Sequence, residues 1–279
     1  MSDPQRREFL AAAGIASLAA LGAATPAASG DPSFMNNVPD PTLAGKDLPT
    51  FKFALEKSEG KVIGNSYGKE ATVAQLPISK GIAGVSMRLE PGAMRELHWH
   101  ATAAEWAFVL EGRVRTTVVE PSGLAETNDF DPGDVWYFPR GHGHMLQCLD
   151  DKPCHFILIF DNGDFSEDHT FSVTNWLSQT PPDIVSQHLG LSSVELVGLP
   201  DGEAYFAKGP VPDDRSPDAT ARPAAQLIST HHYPLLAQQP RRVAGGGTQR
   251  VVTVNEFPIS SSMASSILEI QPGAMRELH

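Results

Sequence analysis

The string EPGAMRELH ends at His98, and its near-copy QPGAMRELH ends at His279. Laid at a constant offset of 181, Thr72 to His98 and Thr253 to His279 agree at 14 of 27 positions without a gap. Scaffold alone would preserve apolar periodicity and turn residues. It gives no reason to preserve an Arg and a Glu beside a His. The chain therefore carries an internal duplication, and a repeated unit is the first constraint on its architecture.

What lies between the copies consists of short apolar runs closed by turn residues: AGVSMRLEPG, WAFVLEGRVRTTVVEPSG, DVWYFPRGHGH and CHFILIFDNGDF. Gly (24) and Pro (23) together make 47 of 279 residues, about a sixth of the chain against an average near 12%. Strands this short and this regularly interrupted point to a sandwich or a barrel. The formal charge is −12, and it stays −12 without the first thirty residues, where Arg6 and Arg7 balance Asp3 and Glu8. That balance excludes a general nucleic-acid binder, which needs a basic face. Small anionic substrates stay open where a metal or a buried Arg supplies local positive charge.

In the first thirty residues, Arg6 and Arg7 precede an apolar Ala- and Gly-rich stretch that reaches about Ala24. It is too short and too weakly apolar for a membrane span. Its charged, apolar and small-residue parts are those of a secretory signal, and the paired arginines mark the twin-arginine type. Export to the periplasm or the outside is expected, of a protein already folded. A metal loaded before export escapes competition from copper and zinc.

The chemistry concentrates in HWHATAAEW. His98 and His100 are two apart and share one face of a strand. Glu105 has the wrong parity for that face, so the chain must turn at ATAA and bring Glu105 back from a neighbouring strand. A third imidazole is expected from GDVWYFPRGHGH, which offers His142 and His144. Three imidazoles and a carboxylate suit a borderline-hard divalent ion with two open octahedral positions. Spacing alone admits manganese, iron, zinc or nickel. Arg95, three before His98, falls off the ligand face unless the strand is irregular at Pro91-Gly92, and a surface ion pair with Glu96 is its other reading.

The series Gly92, His98, His100, Glu105, Gly112, then Gly133, Pro139, Gly141 and His144 resembles the two motifs of the cupin barrel, and that ordering selects His144 over His142. Longer matches, including GDVWYFPRG, FILIFDNGDFSEDHTF and TNWLSQTP, are similar to the bicupin oxalate decarboxylases over roughly Phe51 to His279. The resemblance implies an all-β chain: a cupin (double-stranded β-helix, or jelly-roll) barrel, duplicated, with the second barrel incomplete and a few short helices. It implies a metal site of His98, His100, Glu105 and His144. Manganese is the implied ion, ahead of iron or zinc, with dioxygen as co-catalyst. Arg95 would grip a carboxylate over the metal, and Glu167, in NGDFSEDHT, would deliver a proton from a mobile lid hinged at Gly163. The family's lid reads Ser-Glu-Asn-Ser where this chain has Ser-Glu-Asp-His, so the glutamate is kept and the next two residues depart. Oxalate is the implied substrate and a homo-oligomer the implied full-length assembly. Oxalate oxidation to hydrogen peroxide and non-catalytic metal storage are the competing functions.

The expected organisation is a signal over 1–30, an arm over 31–50, the first cupin with its metal site over 51–165, the lid and short helices over 166–205, a Pro- and Asp-rich linker over 206–233, and the start of a second cupin over 234–279. Arg276 and His279 would be that second site's remnant, cut at its first metal histidine. Thr180-Pro181-Pro182 should open a helix. Cys148 and Cys154 flank LDDKP, where either a disulfide or two buried thiols would fit.

Overall fold

The computed structural model describes residues 49–192, 194–211 and 230–277. The expected signal over 1–30, most of the expected arm and linker, and His279 lie outside the described residues. Two antiparallel sheets enclose the main core. The first contains β1 (Lys61–Ile63), β2 (Ser66–Ala71), β3 (Ala83–Leu89), β5 (Glu105–Glu111), β8 (Val135–Phe138), β10 (Cys154–Phe160) and β13 (His232–Tyr233). Its strand order is β1-β2-β3-β10-β5-β8-β13. The second contains β4 (Ala93–Trp99), β6 (Val114–Val119), β7 (Ala125–Phe130), β9 (Gly143–Cys148) and β11 (Phe171–Ser172), ordered β11-β4-β9-β6-β7. A short β12 (Phe206–Lys208) also pairs with β4. This is the expected jelly-roll barrel. Ten of its strands fall inside 51–165, and the short β11, β12 and β13 come from beyond that stretch.

Each sheet gives one face to the interior. Val85, Met87, Leu89, Phe156, Leu158 and Phe160 from the first sheet meet Ala93, Val114, Val118 and Leu146 from the second. Alternation follows the period of two in β10, where every second residue is fully buried. In β8 all four residues are buried. Trp136 and Phe138 face the barrel interior, while Val135 and Tyr137 face outward into a second cluster with Trp106, Leu235, Val252 and Phe257. The repeated unit is therefore folded onto the outer face of the first sheet, which explains why VWYF reads as an unbroken apolar run.

That unit forms a three-stranded sheet of β14 (Arg241–Val243), β15 (Gly247–Val252) and β16 (Ser265–Ile270). Ile259, Met263 and Ile267 pack against the outer cluster, whereas Val254, Leu268 and Ile270 are exposed. Arg276 is at the surface and pairs only with its neighbour Glu277 at 3.3 Å among the described residues.

Two short helices, α1 (Val173–Gln179) and α2 (Pro182–Leu189), follow the barrel. Pro182 opens α2 as expected, because a first-turn proline loses no helical hydrogen bond. No described helix is long and apolar enough to cross a membrane. Cys148 and Cys154 are both buried free thiols.

Candidate metal centre

The four expected ligands converge. His98, His100, Glu105 and His144 are all buried and offer ligand atoms within 4.8 Å of one another. His98 on β4 and His144 on β9 are direct cross-strand partners, and their rings stand 4.2 Å apart. His100 follows the end of β4. The chain then crosses through buried Ala103 and Ala104 into the opposite sheet, where Glu105 begins β5. Glu105 Oε2 lies 3.1 Å from His100 Nε2 and 3.2 Å from His144 Nε2.

Outer partners fix the orientation of three of the four ligands. His98 Nδ1 donates to the Glu96 carbonyl at 2.6 Å and His144 Nδ1 to the His142 carbonyl at 2.9 Å. Trp136 Nε1 donates to Glu105 Oε1 at 2.7 Å. With Nδ1 protonated, a neutral imidazole presents a bare Nε2 lone pair to the centre. His144 Nε2 and Glu105 Oε2 then face each other as two acceptors, an arrangement that a cation between them satisfies. The donor set therefore fits a divalent metal.

Arg95 is fully buried, and the irregularity that brings it inward is not at Pro91-Gly92. Between Arg95 and His98 the β4–β9 register shifts, so that Arg95 pairs with Leu146 and His98 with His144. Three positions on β4 match two on β9. This bulge changes the parity and turns both side chains inward, leaving Leu97 exposed. Arg95 Nη2 meets Glu167 Oε2 at 3.2 Å and Glu203 Oε1 at 3.4 Å, and Nη1 approaches Glu96 Oε1 at 3.6 Å. Its guanidinium lies 4.0 Å from the centre of the Tyr205 ring. Its Nε is buried without a hydrogen-bond partner among the described residues.

Glu167 is likewise inside, although its neighbours Asp168 and His169 are exposed. Glu167 is 4% exposed at the start of a 3₁₀ turn, Glu167–His169. Its N–H donates to Glu70 Oε2 at 2.9 Å, and Ser166 Oγ donates to Glu70 Oε1 at 3.4 Å. Lys61 Nζ reaches the Glu167 carbonyl at 3.3 Å, Asp168 at 3.0 Å and Glu203 at 2.8 Å. The loop is latched shut by a strand carboxylate on one side and a lysine on the other.

The family model described as Cupin matches residues 55–196. The chain belongs to the cupin family. Among curated cupins it is 38% identical over 232 residues to an oxalate decarboxylase of Bacillus subtilis, covering 83% of this chain and 60% of that one. A probable oxalate decarboxylase of Arthroderma benhamiae is 30% identical over 83% of this chain and 57% of its own. A solved structure concerned with the Mn(II) centres of B. subtilis oxalate decarboxylase superposes with a TM-score of 0.75 at 35% identity, over 81% of this chain and 59% of that one. The chain thus spans about 60% of the length of the curated cupins it matches.

Gly163, the expected hinge, is closely packed in this structure: its N–H donates to the Lys80 carbonyl at 3.2 Å, its carbonyl accepts from Val73 at 2.8 Å, and a Cβ there would stand 2.1 Å from the Ser79 oxygen. Glycine is required for close backbone approach. The sequence reasoning missed Glu203 and Tyr205, which come from the segment after α2. Tyr205 holds a left-handed φ of 53°, a sparsely populated conformation for a non-glycine residue, and its N–H is tied to Glu96 Oε1 at 2.8 Å. No local pattern announces either residue. β12 pairing, Phe206 against Arg95, places them.

Two predictions arise here. Trp136→Phe keeps the aromatic packing and deletes the N–H that steadies Glu105, so metal affinity should fall about 10- to 100-fold, read by chelator competition. The second concerns pH. Burial, with the nearby Arg95 and imidazole charges, holds His98 well below the usual 6.5. His100 is lowered as well, burial outweighing the facing Glu105. The unfolded chain therefore takes up protons near pH 6.5 that the folded chain refuses. Stability is full above that value and declines below it. Burial opposes ionisation of Glu105, but the facing His144 and His100 outweigh it and hold the carboxyl well below its usual 4.5. This second loss begins as the pH falls past that value. The metal-stripped protein should melt at progressively lower temperature from about pH 7 to about pH 4, as followed by circular dichroism. A flat profile would contradict the assignment.

Proposed function

We propose that this cupin is a manganese-dependent oxalate decarboxylase, converting oxalate to formate and carbon dioxide. The observation that carries the proposal is the seating of Glu167 on buried Arg95 beside the His/Glu tetrad. A storage site needs ligands only; it has no use for an arginine fork and an acid side chain enclosed together. The likeness to oxalate decarboxylases supports the same choice of substrate.

Manganese would be held by His98, His100, Glu105 and His144, and when bound would supply Lewis-acid and, with dioxygen, one-electron chemistry. Arg95 would bind and orient a substrate carboxylate through its planar fork, and its unpartnered Nε gives such an anion a donor to meet. The loop held by Glu70 and Lys61 would exclude water, which favours decarboxylation over side reactions. As the carbon–carbon bond breaks and carbon dioxide leaves, the Glu167 carboxyl would pass its proton to the remaining carbon, forming the C–H bond of formate. With the hydrogen oxalate monoanion as reactant, formate and carbon dioxide account for every atom, with no net oxidation.

Oxalate oxidation on the same residues would instead yield hydrogen peroxide, and the departure at Asp168 and His169 is the feature that favours testing for it. Supplying oxalate to the manganese-loaded protein and measuring formate and peroxide together decides among the readings. Formate without peroxide is expected, peroxide in its place would make the protein an oxidase, and neither product would leave metal binding alone. Twin-arginine export, supported by Arg6 and Arg7, and assembly into a homo-oligomer belong to the same proposal.

A further inference from the structure

His142, the imidazole not used by the tetrad, sits in a second cluster on the barrel rim. The β6–β9 ladder ends with Val119 opposite Gly143, which sets Glu120 and His142 side by side just past the paired ends. β13 pairs with β8 and brings in His231, whose carbonyl accepts from Tyr137 at 3.4 Å. Glu120, His142 and His231 offer ligand atoms within 4.8 Å of one another. The ligand atoms of a tetrahedral zinc stand about 3.3–3.6 Å apart, so drawing this set in by about 1 Å would close it around a cation.

His231 points to a ligand independently. It is 1% exposed, and its Nε2 is buried with no hydrogen-bond partner among the described residues. Its Nδ1 lies 2.8 Å from Glu126 Oε2. That oxygen also accepts from the Thr230 N–H at 3.1 Å and hydroxyl at 2.8 Å. An ionised carboxylate accepts only, so in the neutral imidazole Nδ1 carries the proton and Nε2 keeps its lone pair. A carboxylate behind an imidazole whose far nitrogen is free is the outer-sphere arrangement typical of metal-binding histidines. His142 Nδ1 lies 3.4 Å from the Arg140 carbonyl, which turns its Nε2 away from that carbonyl as well.

We propose that Glu120, His142 and His231 form a second metal site, with Glu126 orienting His231. Two imidazoles and one carboxylate, with at least one position open to solvent, match a borderline divalent ion of the zinc type. The site is separate from the tetrad in its ligands and stands whether or not the protein decarboxylates oxalate.

Zinc alone is the probe. Because the tetrad's donors also suit zinc, the measurement is a difference between the full chain and His142→Leu, a partly exposed position outside the core cluster. After zinc loading and gel filtration, the unaltered protein should retain one equivalent more than the variant, with the tetrad's equivalent present in both. Glu126→Gln should weaken the outer site about 10- to 100-fold. Crystals soaked in zinc should show an anomalous peak at the zinc edge between the two imidazoles. Equal zinc content in both proteins, loss of both equivalents from the variant, or an anomalous peak at the tetrad alone would overturn the proposal.

Discussion

Glu167→Gln should lower formate release from oxalate by about 10²–10⁴-fold, the usual worth of a positioned general acid, with metal content unchanged. The substitution removes the acid function, and with it the charge that faces Arg95, while keeping the shape of the side chain. Glutamine keeps the length and an oxygen for Arg95 Nη2, which now sits 3.2 Å from the Glu167 carboxylate. The backbone latch to Glu70 is also retained, because it uses the Glu167 N–H. Elemental analysis beside a formate assay checks the outcome. A variant that still releases formate at the original rate would place the acid elsewhere, and one that loses metal would make Glu167 a support of the tetrad.

The second large effect is expected at Arg95. It faces Glu167, Glu203 and Glu96, of which Glu167 and Glu96 are almost wholly buried. Arg95→Met removes the cation facing the buried Glu167 and Glu96 carboxylates, while Glu203 keeps its pair with Lys61 at 2.8 Å. Breaking a buried ion pair on one side typically costs about 3–5 kcal/mol, and the partly exposed Glu203 should add little, since water screens it. Denaturant unfolding should show the loss. Arg95→Lys separates the two roles of the residue. It restores a charge and most of the stability, but an ammonium cannot reproduce the planar fork, so oxalate turnover should stay low. Full recovery of turnover in the lysine variant would show that Arg95 acts through charge alone.

Much of the site was legible because its determinants are local or chemical. The period of two put His98 and His100 on one face. The parity of Glu105 required a turn, and the chain makes it at Ala103-Ala104, crossing between sheets. Apolar runs punctuated by Gly and Pro announced a sandwich or a barrel, and the repeat announced a second unit before any strand was placed. At Gly163 the sequence could not show the packing, because a glycine that permits close backbone approach and one that permits motion look identical in sequence; the Ser79 oxygen beside it shows the close approach.

The sequence alone determined the ligand types, their spacing, the duplication and the all-β architecture, since each depends on side-chain chemistry or on neighbours a few residues away. Its motif resemblance also preferred His144 to His142. Tertiary structure showed why: both have the same parity, yet only His144 lies within β9 opposite His98, while His142 is left at the rim with Glu120 and His231. Tertiary structure decided the position of Arg95 through a one-residue bulge against β9. It also decided the joining of Lys61, Glu70, Glu203 and Tyr205 around Glu167, with Lys61 and Glu203 in direct contact across 142 residues of chain. Register and packing across such separations are fixed by the whole barrel closing around its core, and no short stretch of the chain encodes them.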